Sequence, residues 1–567
     1  MQPQPEQPGS LTELLPWAAA CFPDRAIGVY DRRGRTLERR TYPELDAAVR
    51  ERARRLARLG VEPGERVVLC LDTSWELVES WFAVLSLGAN PVTTAPPGTL
   101  GAGETHLDRL EGVLERLEST RLIGTHALAV EAERAERQAL RGAMLDEESI
   151  AAAAPLDRKI APAGETDDVA FLQLTSGSTG IPRGVQITHG AALYNTQAIV
   201  SAVSEAIGGA VTERTDAIVS WLPLHHDMGL VGCLLSAITC GIDIVLLPPR
   251  LFLARPDRWV RALSEHGRTL SSAPNFGYQT AVEHRMSELD GNLSGWHTAL
   301  IGAEMVRPET MNAFEDAYGA FGFRREALRP CYGLAEATLA VTFDMTNEGV
   351  RTRPAPSEGP TDAREVACLG RAVEGTEVAI VAPDGSSLAE GRIGAVRVRG
   401  PGLFAGYYGD AEATAECLRD GWLHTGDLGF LANGELYLTG RTKDILILRG
   451  HNLMPHELEW CAEAEADVGG SCRAGAFSID GGADGEVAVI VVELARPEPE
   501  ALPELERAIR VGVGRAVGVT LSDVAFVRRG RIPKTTSGKV RRGELREQYL
   551  RGELERIEPP ASTGGKA

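Results

Sequence analysis

The sequence predicts an α/β protein, with a large N-terminal domain of parallel and mixed sheets flanked by helices over residues 1–440 and a small α+β domain over 441–567. Three observations carry this reading: apolar β-branched runs alternate with helical stretches, the texture changes after about residue 370, and the charge balance changes near Arg441. The alternation begins at TYPEL, where Leu45, Val49, Ala53 and Leu56 recur at helical spacing and Gly60 supplies a stop. RVVLCLD (66–72) then reads as a strand, and the next twenty residues as a helix and a short approach to another strand. Strand runs recur at 216–224, 241–248, 269–276 and 298–304, each separated from the next by a helical stretch. Continuous rather than alternating apolar runs mean strands buried on both faces, as in parallel sheets covered by helices. Beyond about residue 370, EVAIVAPDGSS, GAVRVRGPG and GELYLTGRTKDILILRG are short strands joined by Gly turns, an antiparallel texture. The last unit has a helix near 455–466 and a strand at 486–494.

Composition narrows the function classes. With 567 residues, 43% apolar and 24% charged, the chain excludes collagen-like, coiled-coil and wholly disordered material. The formal charge of −20 argues against a nucleic-acid binder, because phosphate neutralisation needs Lys and Arg. Residues 1–440 hold 40 basic against 59 acidic side chains, whereas 441–567 hold 19 against 20, so the two domains differ in character. The nine cysteines are scattered and never in a metal-ligand spacing, which predicts reduced thiols and a cytoplasmic protein. No apolar run reaches the ~18 residues of a membrane helix.

Residues 172–189, LQLTSGSTGIPRGVQITH, join a strand to a turn of glycines and small hydroxylated residues. Glycines let a backbone approach an anion, successive N–H groups form a nest, and hydroxyls add donors, so the segment reads as a phosphate cradle. It lacks the GxxxxGK[ST] spacing of a P-loop. A flexible Ser/Gly loop is the alternative for this string taken alone.

Its company is more specific. TSGSTGIPRGV, SWLPLHHDMGL (220–230), YGLAEAT (332–338), GWLHTGDLG (421–429), GRTKD (440–444) and PKTTSGKVRR (533–542) stand in the order found in the adenylate-forming acid ligases, and the chain resembles that superfamily from TYPEL to RRGEL. SWLPLHHDMGL, SAPNFGY (272–278) and YGLAEATL are most similar to fatty acyl-AMP ligases. The resemblance implies a small β-barrel-like subdomain and a mobile C-terminal domain. It also implies a reaction in which a carboxylate attacks the α-phosphorus of ATP, releasing pyrophosphate, and a thiol then displaces AMP. Bringing two anions together makes charge neutralisation and orientation the central problem.

Residue by residue, the resemblance assigns Thr175, Ser176, Gly177, Ser178, Thr179 and Gly180 to the ATP phosphates, with Arg183 in place of the commoner Lys. Arg keeps the charge but presents a planar fork. Glu336 matches the acid that helps place Mg²⁺, an ion that prefers few carboxylates plus substrate phosphates. Gly302, Ala303, Glu304, Tyr332 and Gly333 correspond to the adenine slot, and Asp427 and Arg441 to the residues that hold ribose hydroxyls. His226 matches the histidine of PxxHxxG at the mouth of the acyl pocket, while Trp221, Gly229, Asn275 and Gly277 point to a mostly apolar tunnel. His225 stands where an aromatic is usual. Lys539 matches the lysine that bridges acyl carboxylate and α-phosphate, within Arg528–Arg542, which holds seven basic residues and no acid. Lys443 sits at the family's hinge.

The acceptor is either the phosphopantetheine of a carrier protein or coenzyme A. Fatty acyl-AMP ligases carry an extra segment after YGLAEAT, and here the interval 339–367 looks like a shortened version of it. A third reading, a non-adenylating acyl-adenylate-binding partner, is disfavoured by the presence of both Glu336 and Lys539.

Overall fold

Helix Tyr42–Arg58 shows how local chemistry sets the scaffold: Thr41 and Glu44 form a capping box, Leu45, Val49, Ala53 and Leu56 are buried, and Gly60 follows at φ +87°. The structure is a computed structural model that describes residues 7–97, 106–157, 160, 164–175, 182–356, 365–448, 451–466, 473–481, 486–495, 497–534 and 538–558. Its contacts divide the chain into two units. The first comprises 1–354, 365–425 and 430–438; the second comprises 355–364, 426–429 and 439–567.

The first unit contains two large sheets. One has nine strands in the order Arg371–Ala372, Ala340–Phe343, Leu328–Gly333, Trp296–Ile301, Thr269–Ala273, Ala217–Ser220, Asp243–Leu246, Ala26–Tyr30, Leu37–Thr41. The six central strands run parallel, and antiparallel strands close both edges. The strands expected at 216–224, 241–248, 269–276 and 298–304 are four of those six. The Ala26–Tyr30/Leu37–Thr41 hairpin was not expected; its outer strand, Leu37–Thr41, is half-exposed and charged, which suits an edge.

The other sheet has seven strands in the order Gly406–Tyr407, Arg183–Thr188, Val169–Thr175, Asn90–Thr93, Arg66–Cys70, Arg121–Gly124, Met144–Asp146. Val169–Thr175 and Arg183–Thr188 are antiparallel, with Thr175 opposite Arg183.

Beyond residue 370 the strands Glu377–Val381, Gly394–Arg399, Trp422–Ala432 and Leu418–Arg419 follow one another in a sheet, with Glu435–Arg441 also on Trp422–Ala432. Among the described strands this is an open sheet where the resemblance implies a barrel-like subdomain: the end strands Glu377–Val381 and Leu418–Arg419 do not pair with each other. No helix among the described residues is long and apolar enough to cross a membrane.

The second unit is α+β. Its sheet sets Glu486–Leu494 between antiparallel Arg473–Asp480 and parallel Leu521–Arg528. Helices Pro455–Ala466 and Leu502–Val517 contribute Leu458, Ala462, Ile509 and Val513 to the core on one side, and Arg542–Leu550 contributes Leu545 to a second cluster with Phe477, Val489 and Val527.

Candidate active site

In parallel α/β sheets ligands collect beyond the carboxyl ends of the strands, where helix and loop starts leave a crevice. Four adjacent parallel strands of the nine-stranded sheet end in segments singled out above: Ala217–Ser220 leads to Trp221–His226, Thr269–Ala273 to Asn275–Gly277, Trp296–Ile301 to Gly302–Glu304, and Leu328–Gly333 to Glu336. Four motifs that are scattered in sequence therefore lie beyond the carboxyl ends of neighbouring strands of one sheet.

The adenine-slot candidates lie at the ends of two neighbouring parallel strands, Trp296–Ile301 and Leu328–Gly333. A Cβ on Gly302 would lie 2.9 Å from Cys331 Sγ, so only hydrogen fits without displacing that side chain. Cys331 donates to the Ile301 carbonyl at 3.3 Å, and burial pushes its thiol up to about 12. Ala303 follows with φ +69°, a left-handed conformation costly for a residue bearing Cβ. Glu304 Oε1 accepts from Phe276 N at 2.8 Å, which fastens this turn to the start of helix Asn275–Glu283. Tyr332 is buried opposite Thr342, and a Cβ on Gly333 would overlap the Leu339 carbonyl.

Glu336 sits in the single helical turn Ala335–Ala337, and its Oε1 accepts from the Tyr407 phenol at 2.7 Å. Burial, then the Glu336 carboxylate, hold the Tyr407 hydroxyl protonated. The turn ends at Thr338, a β-branched residue at φ +64° whose hydroxyl donates to the Gly402 carbonyl at 2.8 Å. Buried Asn195 holds the strained turn: its Nδ2 donates to the carbonyls of Ala337 (3.2 Å) and Ala340 (3.0 Å), and its Oδ1 accepts from Ala340 N (3.0 Å). Strain maintained by such bonding is a mark of functional positions. Arg183 stands over the ring of the same Tyr407 at 5.2 Å and pairs with Asp410 at 3.4 Å. Ser176, Gly177, Ser178, Thr179 and Gly180 lie outside the described residues; Thr175 and Arg183 bracket them as cross-strand partners.

His226 begins the short helix Asp227–Gly229 and is half-buried, its ring tilted against that of His225 at 4.8 Å. The neighbouring His225 is buried, and burial, then His226 and Arg109, hold its imidazole neutral well below the usual histidine range. Gly229 seats against the Pro223 backbone, where any Cβ would collide. A π-helical segment, Leu230–Leu235, continues the chain into the core.

The remaining candidates belong to the second unit. Asp427 is buried and accepts from Arg441 Nε at 2.8 Å, while the Arg441 side chain is largely exposed. Lys539 is half-buried, one residue after Gly538 at φ +86° and beside Val540, which bridges Lys534. The basic run is free of acid only along the chain. Lys534 meets Glu493 at 3.3 Å, Arg541 meets Glu544 at 3.0 Å, and Arg542 holds both oxygens of Glu459 at 2.6 and 2.7 Å and reaches Asp444 at 3.2 Å. Burial lowers the Lys534 ammonium, with Glu493 opposing. Lys443 is exposed in the turn Thr442–Asp444.

The profile of the AMP-binding enzymes matches residues 15–408. A putative acyl-CoA synthetase of Caulobacter vibrioides is 32% identical over 563 residues, spanning 96% of each chain. The medium-chain-fatty-acid–[acyl-carrier-protein] ligase JamA of Moorena producens is also 32% identical, spanning 93% of this chain and 92% of its own. Among solved structures, one from a study of fatty acyl-adenylate ligases of E. coli and L. pneumophila superposes with a TM-score of 0.85 at 31% identity, covering 96% of this chain and 98% of the other.

Proposed function

This chain belongs to the AMP-binding enzymes, the adenylate-forming acid ligases, and from that premise we propose that it activates a fatty acid with ATP and hands the acyl group to the phosphopantetheine thiol of a carrier protein. The observation that carries the reading is that His226, the Gly302–Glu304 turn and the strained Glu336 turn all follow the carboxyl ends of parallel strands in one sheet. In the first step a fatty carboxylate oxygen attacks the α-phosphorus and pyrophosphate leaves. Arg183 and the 175–180 backbone neutralise the departing phosphates, and the ammonium of Lys539 stabilises the charge gathering between carboxylate and α-phosphate. Gly302, Ala303 and Tyr332 form the walls for the flat base, while Asp427, oriented by Arg441, accepts from ribose hydroxyls. In the second step the thiol attacks the acyl carbon and AMP leaves, the small domain turning about Lys443 between the two reactions.

A divalent ion suits the donor set: Glu336 offers a hard carboxylate oxygen, and Tyr407 fixes the carboxylate's direction. Bound there, Mg²⁺ would neutralise phosphate charge. The described cysteines are free thiols, four of them buried, which accords with a cytoplasmic enzyme.

The 32% identity to a carrier-protein ligase over 93% of the chain supports the carrier as acceptor, and the Caulobacter relative favours coenzyme A as the second reading. Within 339–367 the chain forms the strand Ala340–Phe343 and the pair Thr352–Pro354/Glu365–Ala367; 357–364 lie outside the described residues. The test supplies ATP, Mg²⁺ and a fatty acid with either acceptor. Acyl-AMP that persists with coenzyme A and is consumed by a phosphopantetheinylated carrier supports the proposal. Release of acyl-CoA replaces it with the second reading, and no pyrophosphate with any acid overturns both.

A further inference from the structure

We propose that Gln173, assisted by Thr93, is a positioning residue that sets His226 relative to the glycine-rich loop. The inference rests on the reading above, in which the acid meets the α-phosphorus of an ATP bound by residues 175–180. Gln173 lies in Val169–Thr175, an inner strand of the seven-stranded sheet, and is 2% exposed. Its Nε2 donates to the His225 carbonyl at 2.6 Å, 52 residues away. On the adjacent strand Asn90–Thr93, buried Thr93 donates through Oγ1 to the Leu224 carbonyl at 3.2 Å. Leu224 and His225 follow strand Ala217–Ser220 of the other sheet. Two side chains of one sheet therefore hold the two peptide carbonyls that immediately precede His226 in the other.

The segment they hold is itself a tight unit. His226 N donates to the Pro223 carbonyl at 3.1 Å, and the His226 carbonyl accepts from Gly229 N at 3.1 Å and Leu230 N at 2.9 Å. A Cβ on Gly229 would come within 2.3 Å of the Pro223 oxygen, so the turn is closed upon itself. His226 must then move with the 224–225 backbone, which is fastened to the seven-stranded sheet. The link in the other direction is equally short. Side chains alternate along a strand, so Thr175, the first residue of the loop, leaves the same face as Gln173. Buried carbonyls need donors, and here side chains supply them in place of a sheet ladder. The amide of Gln carries such a donor, whereas an ionised Glu of the same size only accepts and Met cannot donate at all.

A double-mutant cycle tests the coupling. Gln173→Met keeps the length of the side chain and removes the donor, and His226→Ala removes the imidazole whose place the donor sets. The assay is pyrophosphate release by the full chain with ATP, Mg²⁺ and the best of the straight-chain acids from butanoate to palmitate. Thermal unfolding verifies that each variant is folded. Gln173→Met should lower kcat by roughly tenfold to a hundredfold, the scale of a displacement of about 1 Å, with the KM for ATP within about twofold of wild type. In the His226→Ala background the same substitution should change kcat by less than about threefold, because the group it positions is gone. Thr93→Val, which removes the second donor, should follow the same pattern more weakly, and it decides if Gln173→Met does not fold. Multiplicative losses in folded double variants, a wild-type kcat in Gln173→Met, or a wild-type kcat in His226→Ala overturns the proposal while leaving adenylation intact. Failure of the wild type to release pyrophosphate with any of these acids instead overturns the functional reading on which it rests.

Discussion

Asn195→Ala tests whether the Glu336 turn is held by bonding from a distant helix. The side chain lies within helix His189–Ala206 and is 1% exposed, and it makes three hydrogen bonds to backbone 142 to 145 residues away. Alanine leaves the Ala340 N–H without that acceptor inside the core, at about 1–3 kcal/mol, and weakens two buried carbonyls by about 1 kcal/mol each. The expected loss is about 3–5 kcal/mol, at the upper end for single substitutions. Thr338, at φ +64°, would then lose part of what keeps it there, and the Glu336 carboxylate would wander. Urea unfolding followed by tryptophan fluorescence reads the stability term cleanly, because seven of the eight tryptophans lie in the first unit. Pyrophosphate release at varied Mg²⁺, below the unfolding transition, reads the functional term, which should fall at least tenfold in kcat. An unchanged midpoint together with an unchanged rate would refute the clamp. Lost stability with full activity would show that the turn does not depend on it.

Three further outcomes are expected. Lys539→Ala should slow adenylation by roughly 10²–10³, about 2.7–4 kcal/mol, the scale of one preorganised electrostatic donor; pyrophosphate exchange near the wild-type rate would remove Lys539 from the chemistry. Arg542→Ala should cost the second unit about 3 kcal/mol, because Glu459, with 6% of its side chain exposed, is left without its bidentate partner; hydrogen exchange in strand Arg473–Asp480, whose Ala476 N–H donates to Glu459, should accelerate, and unchanged protection would contradict the argument. The hydrogen bonds from Arg351 hold the Glu435 carboxyl below its usual range, so its contribution is complete above the unfolded carboxylate pKa and is lost as pH falls through the lower folded value. Glu435→Gln should accordingly flatten the acid side of the stability profile, and a variant with the wild-type acid slope would exclude this pair as its source.

The parts of the fold legible in the sequence were those written locally. Helix Tyr42–Arg58 carries its own cap, stripe and terminal glycine, and the parallel strands are continuous apolar runs that almost nothing else explains. The open sheet beyond residue 370 was less legible, because closure depends on which end strands meet, and two-residue strands such as Leu418–Arg419 leave no pattern. The site was legible as motifs but not as a mechanism of support. Nothing near Asn195 marks it as the keeper of a turn 145 residues away, and Tyr407 lies 71 residues from the carboxylate it contacts. The basic run misled in the opposite sense: its acids, Glu493, Glu459 and Asp444, come from other elements.

The two-residue strand Gly406–Tyr407 has a mechanical meaning. It is laddered to Arg183–Thr188 through Val185 and Gln186, while its tyrosine carries the Arg183 guanidinium on its ring and the Glu336 carboxylate on its hydroxyl. Arg183 and the acidic turn are thus fastened to one short segment. That segment also holds the turn's backbone, through Phe404 N to the Glu336 carbonyl (2.9 Å) and the Thr338 hydroxyl to the Gly402 carbonyl, so a displacement of Arg183 is felt at the carboxylate. Removing the Tyr407 hydroxyl would release the carboxylate's direction while the backbone of the turn stays held.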